Sequence, residues 1–222
     1  DIAGELGTDA STATMIGESD HDQAGTSVAI ADDLNGDGYD DLIIGSIGDD
    51  EGGSEAGAAY VVLGPVFGSI NLAEADAKLI GEIAGDHAGM LVAAAGDANG
   101  DGFGDFYVSA PGHGIGTDAG ATYLLTGPIE GEIDLSFADR RFIGTEADAG
   151  AGSAIANAGD VNGDGYDDTL IGSPNSSAVH PDAGAVHVFT ESYRAGSMLF
   201  DDARAQWSGT SAGDQLGASV SA

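Results

Sequence analysis

The sequence predicts an all-β fold built from repeated units of four short antiparallel strands. Three observations carry this. The chain of 222 residues repeats itself about every 64 residues. Its apolar runs are short and bounded by Gly, Pro, Asn and Asp, as strands are. No segment shows a sustained helical period, and 38 glycines supply turns.

The period is read first from an acidic stretch. "DLNGDGYDD" begins at Asp33, "DANGDGFGD" at Asp97 and "DVNGDGYDD" at Asp160. A second element keeps step, with aligned glycines at Gly17, Gly81, Gly144 and Gly209. A third follows each acidic stretch: "DLIIGSIGD", "DFYVSAPGH" and "DTLIGSPNS". A fourth closes each unit: "AGAAYVVLGP", "AGATYLLTGP" and "AGAVHVFTES". In the first unit the predicted strands lie around Ser27–Ala31, Asp41–Ser46, Ala58–Leu63 and Lys78–Glu82. "NLAEADAKL", from Asn71, is the best helical candidate, and its shortness makes it a loop with one turn.

Four antiparallel strands per repeat of this length suggest β-propeller blades. The alternatives are a stacked β-solenoid and a string of small sandwiches. A blade cannot bury both faces alone, so neighbours stack on it. Small residues in the first strands (Ala29, Ala31, Ala93, Ala94, Ala154 and Ala156) suit the crowded inner end of a blade. The full repeats run over about 17–80, 81–143 and 144–208 as one propeller segment, with partial units at 1–16 and 209–222.

Each acidic stretch has the composition of a metal loop. Positions 1, 3 and 5 carry oxygen: Asp33, Asn35 and Asp37; Asp97, Asn99 and Asp101; Asp160, Asn162 and Asp164. Position 6 is Gly, which permits positive φ. Position 7 offers a backbone carbonyl, from Tyr39, Phe103 and Tyr166, and position 9 is Asp41, Asp105 or Asp168. Calcium takes 6–8 oxygen ligands of these kinds, so about three Ca2+ sites are expected. Position 8 is Asp40 and Asp167 but also Gly104, so it is not assigned. An EF-hand needs a carboxylate at position 12, where Ile44, Val108 and Ile171 stand. The competing reading is a metal-free Asn-Gly or Asp-Gly turn, which three copies in register disfavour.

These residues resemble the FG-GAP repeats that form blades of integrin α-subunit propellers and of bacterial surface proteins. The resemblance covers nearly the whole chain. The Phe-Gly position reads Ala-Gly at Ala24, Ala88 and Ala151 and Leu-Gly at Leu216. The Gly-Ala-Pro position reads Gly45-Ser46-Ile47, Ser109-Ala110-Pro111 and Gly172-Ser173-Pro174. The resemblance implies a seven-bladed propeller with structural calcium between first and second strands, and ligand-binding loops on the opposite face.

Composition narrows the function. Asp and Glu total 38 against 5 Lys and Arg, a net charge of −33. Phosphate binding needs a basic surface, so nucleic acid and anionic membrane are poor partners. High acidity also suits a salty habitat, where charge maintains solubility. Hydrophobic residues at 42% can form a core, and the absence of Cys removes disulfide and thiol chemistry. No apolar run of membrane-spanning length and no signal peptide is seen. His21, His87, His113, His180 and His187 form no catalytic order, so no enzyme activity is expected. Asn175-Ser176-Ser177 fits a glycosylation acceptor. The expected function is adhesion or recognition of a protein or glycan ligand by an extracellular or surface protein. One alternative is a structural subunit of a surface layer or filament, in which copies complete each other's repeats. Another is the non-catalytic propeller part of a secreted enzyme.

Overall fold

A computed structural model of the chain describes residues 13–114, 117–190 and 195–221. Their regular structure is almost wholly β, apart from single 3-10 turns. Sixteen strands run in order: β1 (Ala13–Ile16), β2 (Ala24–Ala31), β3 (Asp41–Ser46), β4 (Ala58–Val62), β5 (Gly68–Asn71), β6 (Ala77–Ile80), β7 (Val92–Gly96) and β8 (Asp105–Ala110). Then come β9 (Ala121–Thr126), β10 (Gly131–Asp134), β11 (Arg140–Ile143), β12 (Ala154–Gly159), β13 (Asp168–Ser173), β14 (Ala185–Phe189), β15 (Gly196–Leu199) and β16 (Ala205–Ser208). Most of the expected partial unit at 1–16 lies outside the described residues. No helix among those residues is long and apolar enough to cross a membrane.

Three antiparallel meanders form the blades: β2-β3-β4-β6, β7-β8-β9-β11 and β12-β13-β14-β16. Their strands alternate in what they bury, because successive side chains leave opposite faces of a sheet. In the first blade Ile43, Val61 and Leu79 enter the core shared with Phe106, Val108, Tyr123 and Leu125 of the second. Their neighbours Ile44, Tyr60 and Val62 face the other way, over Met15, Leu42 and Ile70. A second shared core joins Tyr107, Leu124 and Phe142 to Ile171, Phe189 and Phe200. The blades therefore stack face to face, which is why their middle strands are apolar on both sides.

The first strands of successive blades lie beside one another. Val92 donates its N–H to Ser27 Oγ, and Asn157 Nδ2 donates to the Ala95 carbonyl. Ala29 and Ala93 are partly buried there and Ala31 fully, as their small size predicts.

Two differences from the sequence-based expectation matter. The first strand begins at Ala24, three residues before Ser27, because Ala24 pairs with Ser46 across a bulge that ends at Val28. The first and second blades also have a fifth strand, β10 and β15, while the third has four strands among the described residues. β5, β10 and β15 cross to the outer strand of the preceding unit and pair with it in parallel, as β5 with β1, β10 with β6 and β15 with β11. The chain then makes one 3-10 turn, at Leu72–Glu74, Leu135–Phe137 and Phe200–Asp202, and returns as the fourth strand of its own blade. Asn71 and Asp134 cap the first two turns by accepting the N–H of Ala73 and Ser136.

Candidate metal centres

The acidic stretches are the connections between the first and second strands, and all three fold alike. Asp33 accepts the N–H groups of Gly36 (2.7 Å), Asp37 (3.0 Å) and Gly38 (2.7 Å). Asn35 Oδ1 accepts from Asp37 N, and Asp37 Oδ1 accepts from Tyr39 N, each at 2.9 Å. The same bonds recur from Asp160, Asn162 and Asp164, to the N–H of Tyr166, and from Asp97, Asn99 and Asp101, to that of Phe103, except that Asp97 accepts from Asp101 and Gly102 and not from Gly100. Gly36 and Gly38 have positive φ, and so do their counterparts in the other loops. Positions 1, 3 and 5 are thus drawn to one side of a tight turn, with the polar backbone satisfied by their oxygens.

Position 9 does something different. Asp41 is fully buried and accepts N–H groups with both oxygens, from Leu34 and Gly64, each at 2.7 Å. Asp105 does so from Ala98, Asn99 and Gly127, and Asp168 accepts from Val161. In the first two units this carboxylate ties the loop base to the connection after the third strand, at Gly64 and Gly127. Among the described residues no three His, Asp or Glu side chains form a group that could hold an ion by themselves.

Electrostatics separate the two kinds of carboxyl. Burial pulls Asp33 upward, yet the N–H groups of Gly38, Gly36 and Asp37 together hold it below the usual carboxylate range. The Gly165 N–H leads the same effect at Asp160. Burial dominates at position 9. It raises Asp41 and Asp168, to which the nearby Asp37 and Asp33, or Asp164 and Asp160, also contribute. It pushes Asp105 up to about 7, against its three backbone donors.

In chemical terms the donor set fits a hard cation. Every side chain at positions 1, 3 and 5 is a carboxylate or amide, and oxygen ligands of this kind suit Ca2+. A carboxylate has about four acceptor sites, so the two N–H-bonded oxygens of Asp33 retain capacity.

The opposite end of the blades carries a second polar feature that sequence reasoning missed. In the first unit Lys78, on β6, lies directly across from Tyr60 on β4. Its ammonium is 2.8 Å from Glu18, 2.9 Å from Asp49 and 2.7 Å from Glu51. The Tyr60 hydroxyl sits 2.8 Å from Glu18 and 3.0 Å from Asp49. Hydrogen bonds to Lys78 and Tyr60 hold Glu18 below its usual range. In the second unit Arg141 lies across from Tyr123, 3.4 Å from Glu82, and the tyrosine donates to the same Glu82. His113 stands 3.1 Å from Asp86, and this hydrogen bond, against burial, raises the imidazole above its usual value. A signal was available: only five basic residues exist, and Lys78 and Arg141 occupy the same place in their repeats. Replacing Lys78 by Met leaves three carboxylates facing one another without a cation, and the expected loss is about 3–5 kcal/mol of unfolding free energy. Urea denaturation of Lys78→Met against the parent chain measures it.

In the third unit the aromatic position is His187, across from Gln206. Burial pushes this imidazole down to about 4, although Asp201 and Glu146 pull it up. The folded state therefore favours the neutral ring. Its stabilising preference is complete above pH 6.5 and is lost as pH falls from 6.5 towards 4. Over that window the chain should lose on the order of 3 kcal/mol relative to His187→Phe. Parallel denaturation curves at stepped pH test this; a constant difference between the two proteins would refute it.

Three stretches, 24–62, 88–125 and 151–189, match the model of the FG-GAP repeat. The chain belongs to the FG-GAP repeat family. Each matched stretch runs from the first strand through the acidic loop to the third strand of one blade. The chain is 30% identical over 160 residues to integrin alpha-PS5 of Drosophila melanogaster, a match covering 68% of this chain and 15% of the relative. It is 33% identical over 152 residues to integrin alpha-4 of Xenopus laevis, covering 67% and 14%. It is 31% identical over 162 residues to integrin alpha-IIb of Mus musculus, covering 70% and 15%. The match thus spans about one seventh of each of these relatives.

The FG-GAP motif has a physical reading here. Its two glycines meet at the blade junction: a Cβ on Gly45 would stand 1.9 Å from the Gly89 carbonyl oxygen, and one on Gly172 2.1 Å from that of Gly217. The aromatic of the motif is replaced by Ala88 and Ala151, both buried, whose N–H groups bond to Ala56 and Ala119 of the preceding blade. The motif's backbone joint survives loss of the aromatic ring.

Proposed function

We propose that this FG-GAP chain is a calcium-stabilised propeller segment of an extracellular or cell-surface protein, and that it recognises a protein or glycan ligand without catalysis. The observation that carries the reading is a division between the two ends of the blades. The acidic loops at one end repeat almost bond for bond. The other end differs between units: the outer strands carry Lys78 and Arg141 in the first two and Gln206 in the third, and the connections before the first strands carry Glu18, Glu82 and Thr145 at the matching place. Repeated features serve the scaffold, and varied ones serve recognition.

Calcium would be held by Asp33, Asn35, Asp37 and the Tyr39 carbonyl, with Asp41 at the loop base. The second site would use Asp97, Asn99, Asp101, Phe103 and Asp105, and the third Asp160, Asn162, Asp164, Tyr166 and Asp168. The ion supplies positive charge to a cluster of carboxylates; the residues fix the loop through their backbone bonds. Similarity to integrin α-subunits supports the adhesive reading and the cell-surface location.

Calorimetric titration of the metal-free chain with calcium should give about three sites with dissociation constants near 10⁻⁴–10⁻³ M. The calcium-loaded chain should then bind members of an array of extracellular-matrix proteins and glycans. Absence of calcium heat removes the metal assignment, and a blank array removes the recognition reading.

A further inference from the structure

The third unit departs from the first two where they carry their internal cation. Lys78 and Arg141 are matched by Gln206, Tyr60 and Tyr123 by His187, and Glu18 and Glu82 by Thr145. Space is left in place of the ion pair. A cavity of about 430 Å³ opens there, lined among others by Glu146, His187, Phe200, Asp201 and Gln206. Its two carboxylates are additions: Glu146 stands where the second unit has Ile83, and Asp201 where it has Ser136. Glu146 accepts from Ser176 Oγ and from Ser177 N, and Asp201 accepts from Thr145 Oγ1. Neither is ion-paired with a described residue. His187 is 6% exposed, and its Nδ1 has no hydrogen-bond partner. Its ring leans on Phe200, with centroids 4.6 Å apart. Ala149, Ala151 and Ala178 complete an apolar wall.

We propose that this cavity binds the cationic end of a lysine or arginine side chain presented by a protein partner. The first unit shows the chemistry in its internal form, with the Lys78 ammonium 5.4 Å from the Tyr60 ring centre and among three carboxylates, and the second sets Arg141 beside Glu82. The third has the apolar wall for a stem and two carboxylates for the head, and among the described residues no Lys or Arg lines the cavity or pairs with those carboxylates. An aliphatic stem buries apolar surface while its charged tip stays among polar groups, and the Phe200 ring adds a face on which a cation can rest. The proposal names a ligand chemistry for the recognition function and rests on that reading for the partner being a protein.

The test is titration of the calcium-loaded chain with N-acetyl-lysine amide, N-acetyl-arginine amide, the uncharged norleucine analogue and n-butylamine, followed by NMR of the backbone amides. The lysine or arginine amide should shift signals around Glu146, His187 and Asp201, and norleucine should not. Gln206→Lys restores the internal cation and should weaken binding more than tenfold while raising the melting temperature. Asp201→Asn should weaken binding similarly, and serves alone if Gln206→Lys fails to fold. Equal binding of norleucine, no binding of either cationic amide, or binding unmoved by these substitutions overturns the proposal. Butylamine binding as tightly as the lysine amide would assign the cavity to free amines and overturn the protein-partner part. Failure here leaves the calcium titration standing, so the two readings fall separately.

Discussion

Removal of calcium is expected to cost this chain about 5 kcal/mol of stability. With roughly 2 mM calcium and a dissociation constant near 0.1 mM, each site contributes about 1.8 kcal/mol by mass action. Three loops of the same hydrogen-bonding pattern multiply that effect. Against a typical total of about 5–15 kcal/mol, the metal-free chain stands near its unfolding limit. Carboxylates crowded at positions 1, 5 and 9 then repel without relief. Urea denaturation in calcium and in chelator measures the whole effect. Asp37→Ala, Asp101→Ala and Asp164→Ala should each remove about one third of the calcium-dependent part. Identical curves with and without chelator would sink the metal assignment for all three loops.

The second large effect is expected at Gly89. Its φ is +82°, and a Cβ there would stand 2.1 Å from the Ala58 carbonyl oxygen and 3.0 Å from Gly45 Cα. Both contacts are backbone of the preceding blade, so no side-chain rotation relieves them. Gly89→Ala should cost about 3–5 kcal/mol, combining left-handed strain with overpacking. Gly25 holds the same place in the first unit, at φ +89°, with nothing within 4 Å of its would-be Cβ. Gly25→Ala should therefore cost only about 1–2 kcal/mol, the backbone share alone. The difference between the two isolates the close approach of one blade to the next. Equal losses would show that the motif glycine is kept for its φ and not for packing.

Much of this fold was legible because it depends on local chemistry. The acidic loops announce themselves through Asp, Asn and Gly at fixed offsets, and their backbone bonds span only two to five residues, as from Asp33 to Gly38. The second strand of the first unit, Asp41–Ser46, is apolar on both faces and fell at its expected bounds. The crossing strands β5, β10 and β15 were not legible. Each has four residues of which only the third, Ile70, Ile133 or Met198, is partly buried, so no period can form. Their pairing is made by the backbone, which any sequence carries. The Lys78 cluster escaped notice for another reason. Glu18 and Lys78 lie 60 residues apart, and only blade stacking brings them to 2.8 Å. Spacing marks position 9 as a candidate ligand, but the burial of Asp41 and its bond to Gly64, 23 residues on, come from the tertiary fold and were not legible.

The crossing strands also bear on how such a chain could lengthen by duplication. A stretch from Gly17 to Ile80 carries β5, which edges the blade before it, and leaves β6 to be edged by β10 of the unit behind. Genetic period and physical blade are thus out of register by one strand. An inserted copy meets foreign neighbours on both sides at once. Those joints are parallel backbone ladders that begin at Gly68, Gly131 or Gly196, whatever side chains follow. One unit's crossing strand therefore fits any other unit's edge, and copies can be added or reordered without refitting the seam.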